Sequence, residues 1–167
     1  EIVDYLLKAG ADVNTVFGEG GGPDCMACPD EITVMHQIVD QYSHENKVEH
    51  LDEITKILLT QNPDLNITSR HGFTPLDELC LFNENTELAD LLIANGAKLE
   101  TENFSALHAA VMFSNVKMVE YLLKLGADPN YIPNKDEYKM PPLITNYDCC
   151  GDGWQELITI TCDNRKH

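Results

Sequence analysis

Apolar residues recur along this chain in adjacent pairs spaced four apart. Met118, Val119, Leu122 and Leu123 occupy positions i, i+1, i+4 and i+5, which puts all four on one helical face and leaves the charged residues between them to solvent. The pattern returns as a whole. Glu1-Ile-Val-Asp-Tyr-Leu-Leu-Lys-Ala-Gly-Ala-Asp-Val-Asn14 comes back as Lys117-Met-Val-Glu-Tyr-Leu-Leu-Lys-Leu-Gly-Ala-Asp-Pro-Asn130, and weaker copies run from Glu53 to Asn66 and from Glu87 to Glu100. Each copy predicts one amphipathic helix. Gly10, Gly96 and Gly126 stand where a left-handed residue ends a helix, and Asn62 before Pro63 takes that place in the second copy.

Ahead of each later copy lies a shorter apolar segment that opens with a small residue and a turn. These are Thr33-Val-Met-His36, Thr74-Pro-Leu-Asp77, Ser105-Ala-Leu-His108 and, degenerately, Pro141-Pro-Leu-Ile144. A hydroxyl caps a helix N-terminus and Pro suits its first turn, so each segment predicts a helix of its own. The unit is therefore helix, turn, helix and extended connector. Asp12, Asp64, Asp128, Asn14 and Asn130 follow the second helix as turn residues that hydrogen-bond local backbone.

Gly72-Phe-Thr-Pro-Leu76, Ser105-Ala-Leu-His-Ala-Ala110 and the two Gly-Ala-Asp-x-Asn segments resemble the ankyrin repeat, with its Thr-Pro-Leu-His opening and period of about 33. The resemblance covers nearly the whole chain. It implies an all-α solenoid of helix-turn-helix units with projecting hairpin fingers, about four to five repeats in a single array over residues 1–167. The units are 1–14, the second helix of a truncated repeat; 15–66, with a long finger and an insertion between its helices; 67–100; 101–130; and 131–167, degenerate and incomplete. Incomplete ends imply a piece of a longer array that continues into further repeats. End repeats of a solenoid need polar caps, and without them the isolated piece is expected to be marginally stable and to self-associate.

Charge narrows the partners. Eleven Lys and Arg against 28 Asp and Glu give a net charge of −17, too acidic to build the basic face that nucleic acid or an anionic membrane requires. No apolar run approaches the roughly 18 residues of a membrane span. Six cysteines, Cys25, Cys28, Cys80, Cys149, Cys150 and Cys162, lack the dense spacing of a secreted disulfide scaffold and point to a reducing, intracellular setting, cytoplasmic or nuclear.

The departures from the repeat show where the array has been customised. The connector before the next first helix is seven residues at 67–73, eighteen at 15–32, four at 101–104 and ten at 131–140. The long one carries Cys25-x-x-Cys28, half of a zinc motif that His44 or His50 would have to complete, since His36 already fills the structural place of the Thr-Pro-Leu-His turn. Its glycines lack the strand, helix and lysine of a phosphate loop. His44-Glu45 fails the His-Glu-x-x-His protease spacing, and no nucleophile elbow occurs. The chain is read as non-catalytic and without a cofactor. Asn66-Ile-Thr68 and Asn103-Phe-Ser105 fit the glycosylation pattern but are explained by the repeat.

All five phenylalanines, Phe17, Phe73, Phe82, Phe104 and Phe113, fall on fingers or at variable positions of the first helices. In the family these positions face the concave side, so the resemblance makes Phe73, Leu81, Phe82, Phe104, Met112 and Phe113 the candidate binding stripe. Glu102, Asp136 and Glu137 would form an acidic rim. The expected function is a protein-interaction scaffold for a basic or amphipathic protein or peptide. Two readings compete with it: a structural spacer whose finger is held by zinc at Cys25 and Cys28, and an accessory array of an enzyme whose catalytic domain lies elsewhere.

Overall fold

The computed structural model describes residues 2–18, 31–44, 49–134 and 141–142. The repeated pattern becomes seven described helices: α1 (Ile2–Lys8), α2 (Val34–Ser43), α3 (Leu51–Leu59), α4 (Pro75–Phe82), α5 (Thr86–Ala94), α6 (Ala106–Met112) and α7 (Val116–Lys124). The short segments form α2, α4 and α6, the first helices of successive units, and the fourteen-residue copies form α1, α3, α5 and α7. Among the described residues the fingers hold only isolated pairings, Phe17 with Ile32 and Glu100 with Ser105. Pro142 is helical, and the rest of the degenerate last unit lies outside the described residues.

The second helices end as the glycines require. The Ala97 N–H reaches the Leu92 carbonyl at 3.1 Å and the Gly96 N–H reaches Ile93 at 3.0 Å, and the pair recurs from Ala127 to Leu122 and Gly126 to Leu123, so the otherwise orphaned last carbonyls are satisfied. Gly96 and Gly126 have φ of 102° and 92°, and Asn62 takes the same role with φ of 52°. A Cβ on either glycine would meet nothing within 4 Å, so the backbone angle and not crowding selects glycine there.

Packing runs along the first helices. α4 lies between α2 and α6, and each second helix leans on its own first helix or connector. Leu76, Leu79 and Cys80 of α4 and Ala106, Ala109 and Ala110 of α6 are fully buried, as are Leu92, Met118 and Leu122 from the second helices. α1 differs from the other copies. None of its residues is buried, Ile2, Tyr5 and Leu6 are exposed, and it packs on α3.

A polar ladder runs beside this core, on the turns that follow the second helices. Asp12, Asp64 and Asp128 each accept the N–H two residues on at 2.8–2.9 Å, the expected local turn. The next residue reaches across units: Asn14 Oδ1 accepts the Asp64 N–H at 2.7 Å, Asn66 Oδ1 the Lys98 N–H at 3.0 Å, and Glu100 Oε1 the Asp128 N–H at 2.9 Å. Asn115 does the same job between first helices. Its Oδ1 caps α7 at the Met118 N–H, while its amide donates to the carbonyls of Cys80 and Asn83.

The third residue of each first helix ties its unit to its own cap. The His36 ring faces the Phe73 carbonyl through Nε2 at 3.1 Å, and since a carbonyl only accepts, Nε2 carries the hydrogen and Nδ1 is left to accept the Thr33 N–H at 3.1 Å. Burial holds the His36 pKa below its usual value, against the bond to Phe73. Ser105 and His108 repeat the contact at 2.7 Å. Asp77 breaks the series. Its Oδ2 accepts from the N–H and hydroxyl of Thr74 at 2.9 and 2.8 Å, while its buried Oδ1 has no hydrogen-bond partner among the described residues. A carboxylate cannot donate to the Phe104 carbonyl as His36 does to that of Phe73, and the Thr101 hydroxyl supplies that bond instead at 3.0 Å.

Two outcomes follow from this core. Burial pushes the Asp77 carboxyl up to about 6, against the bonds from Thr74 that favour the charged form. The folded state therefore holds a proton that the unfolded chain, near 3.8, has released, and this contribution is complete below about pH 4 and lost as pH rises through about 6. Asp77→Asn is expected to raise the melting temperature at pH 7 by the equivalent of about 1–3 kcal/mol, with the gain over wild type shrinking toward pH 4. The depressed His36 acts in the opposite direction in both proteins, so the difference between them is the quantity to measure by thermal denaturation. Phe104, 1% exposed, is expected to cost about 3–5 kcal/mol when changed to Ala, whereas Phe113→Ala, on the surface, should cost under about 1 kcal/mol in the same assay.

Candidate functional site

The inner face of the stack is built by the exposed edges of the first helices and by the fingers above them. α2, α4 and α6 are adjacent, and their outward residues line a depression together with Ile32, His71 and Phe73 of the fingers. A cavity of about 720 Å³ lies there. Leu81 of α4, Met112 of α6, Phe113 at the end of α6 and Phe73 of the finger give it apolar walls, and Asp40 of α2 and Glu78 of α4 give it acidic ones. That size falls within the range of sites that take a drug-sized ligand or a few peptide side chains.

Five of the six residues of the expected stripe have described side chains, and they differ in exposure. Phe113, 49% exposed, stands on the surface, and Phe73 and Met112 are partly buried against the core. Leu81 is 5% exposed, and it forms the cavity floor with a small accessible edge. Phe104 is core. Its ring packs edge-on against Phe73 with centroids 5.0 Å apart and lies 5.4 Å from His108, so Phe104 supports the wall from behind and, contrary to the expectation for it, offers no free surface. The four-residue connector at 101–104 explains this. Thr101 accepts and donates across the tight turn, through its hydroxyl from the Phe104 N–H at 3.2 Å and through its N–H to the Phe104 carbonyl at 2.8 Å, which draws the ring inward. The Phe82 side chain lies outside the described residues.

The polar lining was not singled out from the sequence. Gln37, Asp40 and Ser43 follow one another at spacings of three on α2, which places them along one edge of that helix, and Glu78 continues the edge on α4. That spacing was the available signal in the sequence. The Asp40 carboxylate receives Gln37 Nε2 and faces His44 Nε2, each at 3.3 Å, and its side chain is 54% exposed. Of the expected rim acids, Glu102 is exposed, and Asp136 and Glu137 lie outside the described residues.

Other chemistry finds less support in the geometry. Cys25 and Cys28 lie outside the described residues. Both His36 nitrogens are committed to Thr33 and Phe73, and the His50 ring faces Glu49 and Glu53 at 3.5 Å. Among the described residues no three His, Cys, Asp or Glu side chains come together as metal ligands. The buried Cys80 thiol is pushed well above its usual pKa by burial and by Asp77, which makes it inert toward oxidation and metals. No described helix is long and apolar enough to cross a membrane.

Comparison with known proteins agrees with the architecture. A family model described as ankyrin repeats, in three copies, matches residues 35–132, the span from α2 to the connector after α7. Over 98 residues, 54% of this chain, the sequence is 34% identical to a chloroplastic ankyrin repeat domain-containing protein of Arabidopsis thaliana. The aligned stretch spans 31% of that relative's length. Repeated helix pairs, capped by Thr or Ser at the first helix and by left-handed Gly or Asn after the second, and a family match over more than half the chain lead to one conclusion: this chain belongs to the ankyrin-repeat family.

Proposed function

We propose that the array is a non-catalytic scaffold that binds another protein, basic or amphipathic in character, in the inner groove between its fingers and first helices. Ankyrin repeats generally mediate contacts between proteins. The observation that carries the reading for this chain is the 720 Å³ cavity that gathers Phe73, Leu81, Met112 and Phe113 on one face. The apolar residues supply buried contact area and the half-exposed Phe113 ring is positioned as an anchor. A rigid stack presents them without an ordering cost on binding, and a net charge of −17 speeds encounter with a positively charged partner. The reducing environment implied by the cysteine pattern extends the proposal to a cytoplasmic or nuclear location.

The test pairs two surface changes on opposite faces. Met112→Ala with Phe113→Ala should weaken binding of a partner recovered with the wild-type array at least about tenfold, the loss expected for an anchor worth over 1.4 kcal/mol, with the melting curve confirming that the array remains folded. Lys117→Ala with Glu120→Ala, on the exposed side of α7, should leave binding within about twofold. Equal loss from both pairs, or loss from the second alone, would move the site off the inner groove.

A further inference from the structure

Asn95 is the only asparagine of the chain that glycine follows; the other copies of the repeat carry Ala9, Gln61 and Leu125 at that position. Asn95 and Gly96 are both exposed at the end of α5. Gly96 has no side chain to shield its backbone nitrogen, and the place where a Cβ would stand has nothing within 4 Å. Three hydrogen bonds restrain the pair. Asn95 Nδ2 donates to the Leu91 carbonyl at 2.8 Å, the Gly96 N–H donates to the Ile93 carbonyl at 3.0 Å, and the Gly96 carbonyl accepts Asn66 Nδ2 from the preceding unit at 3.1 Å. Since Asn66 Oδ1 also takes the Lys98 N–H at 3.0 Å, one amide clamps this segment on both sides of Ala97.

We propose that Asn95 is a site of spontaneous deamidation, gated by the stack through Asn66. The Gly96 backbone nitrogen, having lost its proton to solvent, attacks Asn95 Cγ; the bond from Cγ to Nδ2 breaks, ammonia leaves, and a five-membered succinimide forms. Water then opens the ring at either carbonyl, giving aspartate or isoaspartate, so the balance is one water consumed and one ammonia released. In the folded chain the side chain must first leave Leu91 and the Gly96 nitrogen must leave Ile93 and turn, which requires the end of α5 to open. The products cannot close it again. A carboxylate has no hydrogen to donate to the Leu91 carbonyl, and its charge stands at the C-terminal end of α5, where the helix dipole disfavours it. Isoaspartate also lengthens the backbone ahead of Gly96 and displaces the two groups that Asn66 holds. An opening that is transient in the native chain thereby becomes a permanent loosening of the junction between the units 15–66 and 67–100.

The experiment incubates the full chain in mildly alkaline buffer at physiological temperature, folded and in guanidinium chloride, and follows each asparagine by peptide mapping and mass spectrometry. Conversion is expected first at Asn95 in the unfolded chain, and at Asn95 in the folded chain at a rate at least about tenfold lower, the factor set by the opening equilibrium. Asn66→Asp keeps the acceptor for Lys98 but removes the donor to the Gly96 carbonyl, and Glu100 fills the same place in the next unit as a carboxylate. That variant, its fold checked by circular dichroism, is expected to convert at Asn95 at least about threefold faster than the folded wild type. Asn95→Asp, the product made directly, is expected to melt at a lower temperature than the wild type. Conversion first at another asparagine in the unfolded chain, or none at Asn95 in the folded chain, would overturn the site. Equal rates in the folded and unfolded chain, or an Asn66→Asp rate equal to that of the wild type, would overturn the gate, and an unchanged melting temperature for Asn95→Asp would overturn the loosening.

Discussion

Among the described residues, the apolar face of each first helix is buried by the units on either side of it. Leu76, Leu79 and Cys80 of α4 are removed from solvent because α2 covers one side and α6 the other, and everything else in the structure depends on that stacking. Small residues make it close. Ala106, Ala109 and Ala110 and the Cys80 thiol occupy the contact where larger side chains would hold the helices apart. The hydrophobic pattern specifies which face is apolar, and the adjacent unit decides whether that face is buried.

The close stack also fixes its own polar accounting. Backbone groups trapped between units must find partners, and they find them in side chains at repeating positions: Asn14, Asn66 and Glu100 along the turns, Asn115 between α4 and α6. Asp77 is the place where the scheme is strained, with one buried carboxylate oxygen left over and a neighbouring threonine taking up the donor that a histidine supplies one unit earlier. The inner groove depends on these bonds indirectly. They hold the finger carbonyl of Phe73 and the ring of Phe104 in place; Phe73 lines the groove and Phe104 packs behind it.

Much of this was legible from residue order. The paired apolar positions marked α1, α3, α5 and α7, the Thr and Ser caps marked α2, α4 and α6, and Asn62, followed by Pro63, was readable as a stand-in for glycine. What could not be read were contacts between units. Asn14 and Asn66 look like local turn residues, and only the stack shows that their side chains cross to the next unit. Phe104 illustrates the same gap from the other side. Its position in a finger suggested exposure, but the four-residue connector turns it into the core, which a one-dimensional pattern does not encode. Asp40 and Glu78 lie thirty-eight positions apart in the chain, and the packing of α2 on α4 is what brings them to one cavity.

The central claim is that the face made by α2, α4, α6 and the fingers is where another protein sits. A photo-crosslinking amino acid placed at position 113, in the groove, and separately at position 120, on the exposed side of α7, tests it most directly in living cells. The account predicts a discrete crosslinked species from position 113 and none from position 120. A crosslink from position 120 with none from position 113 would contradict it.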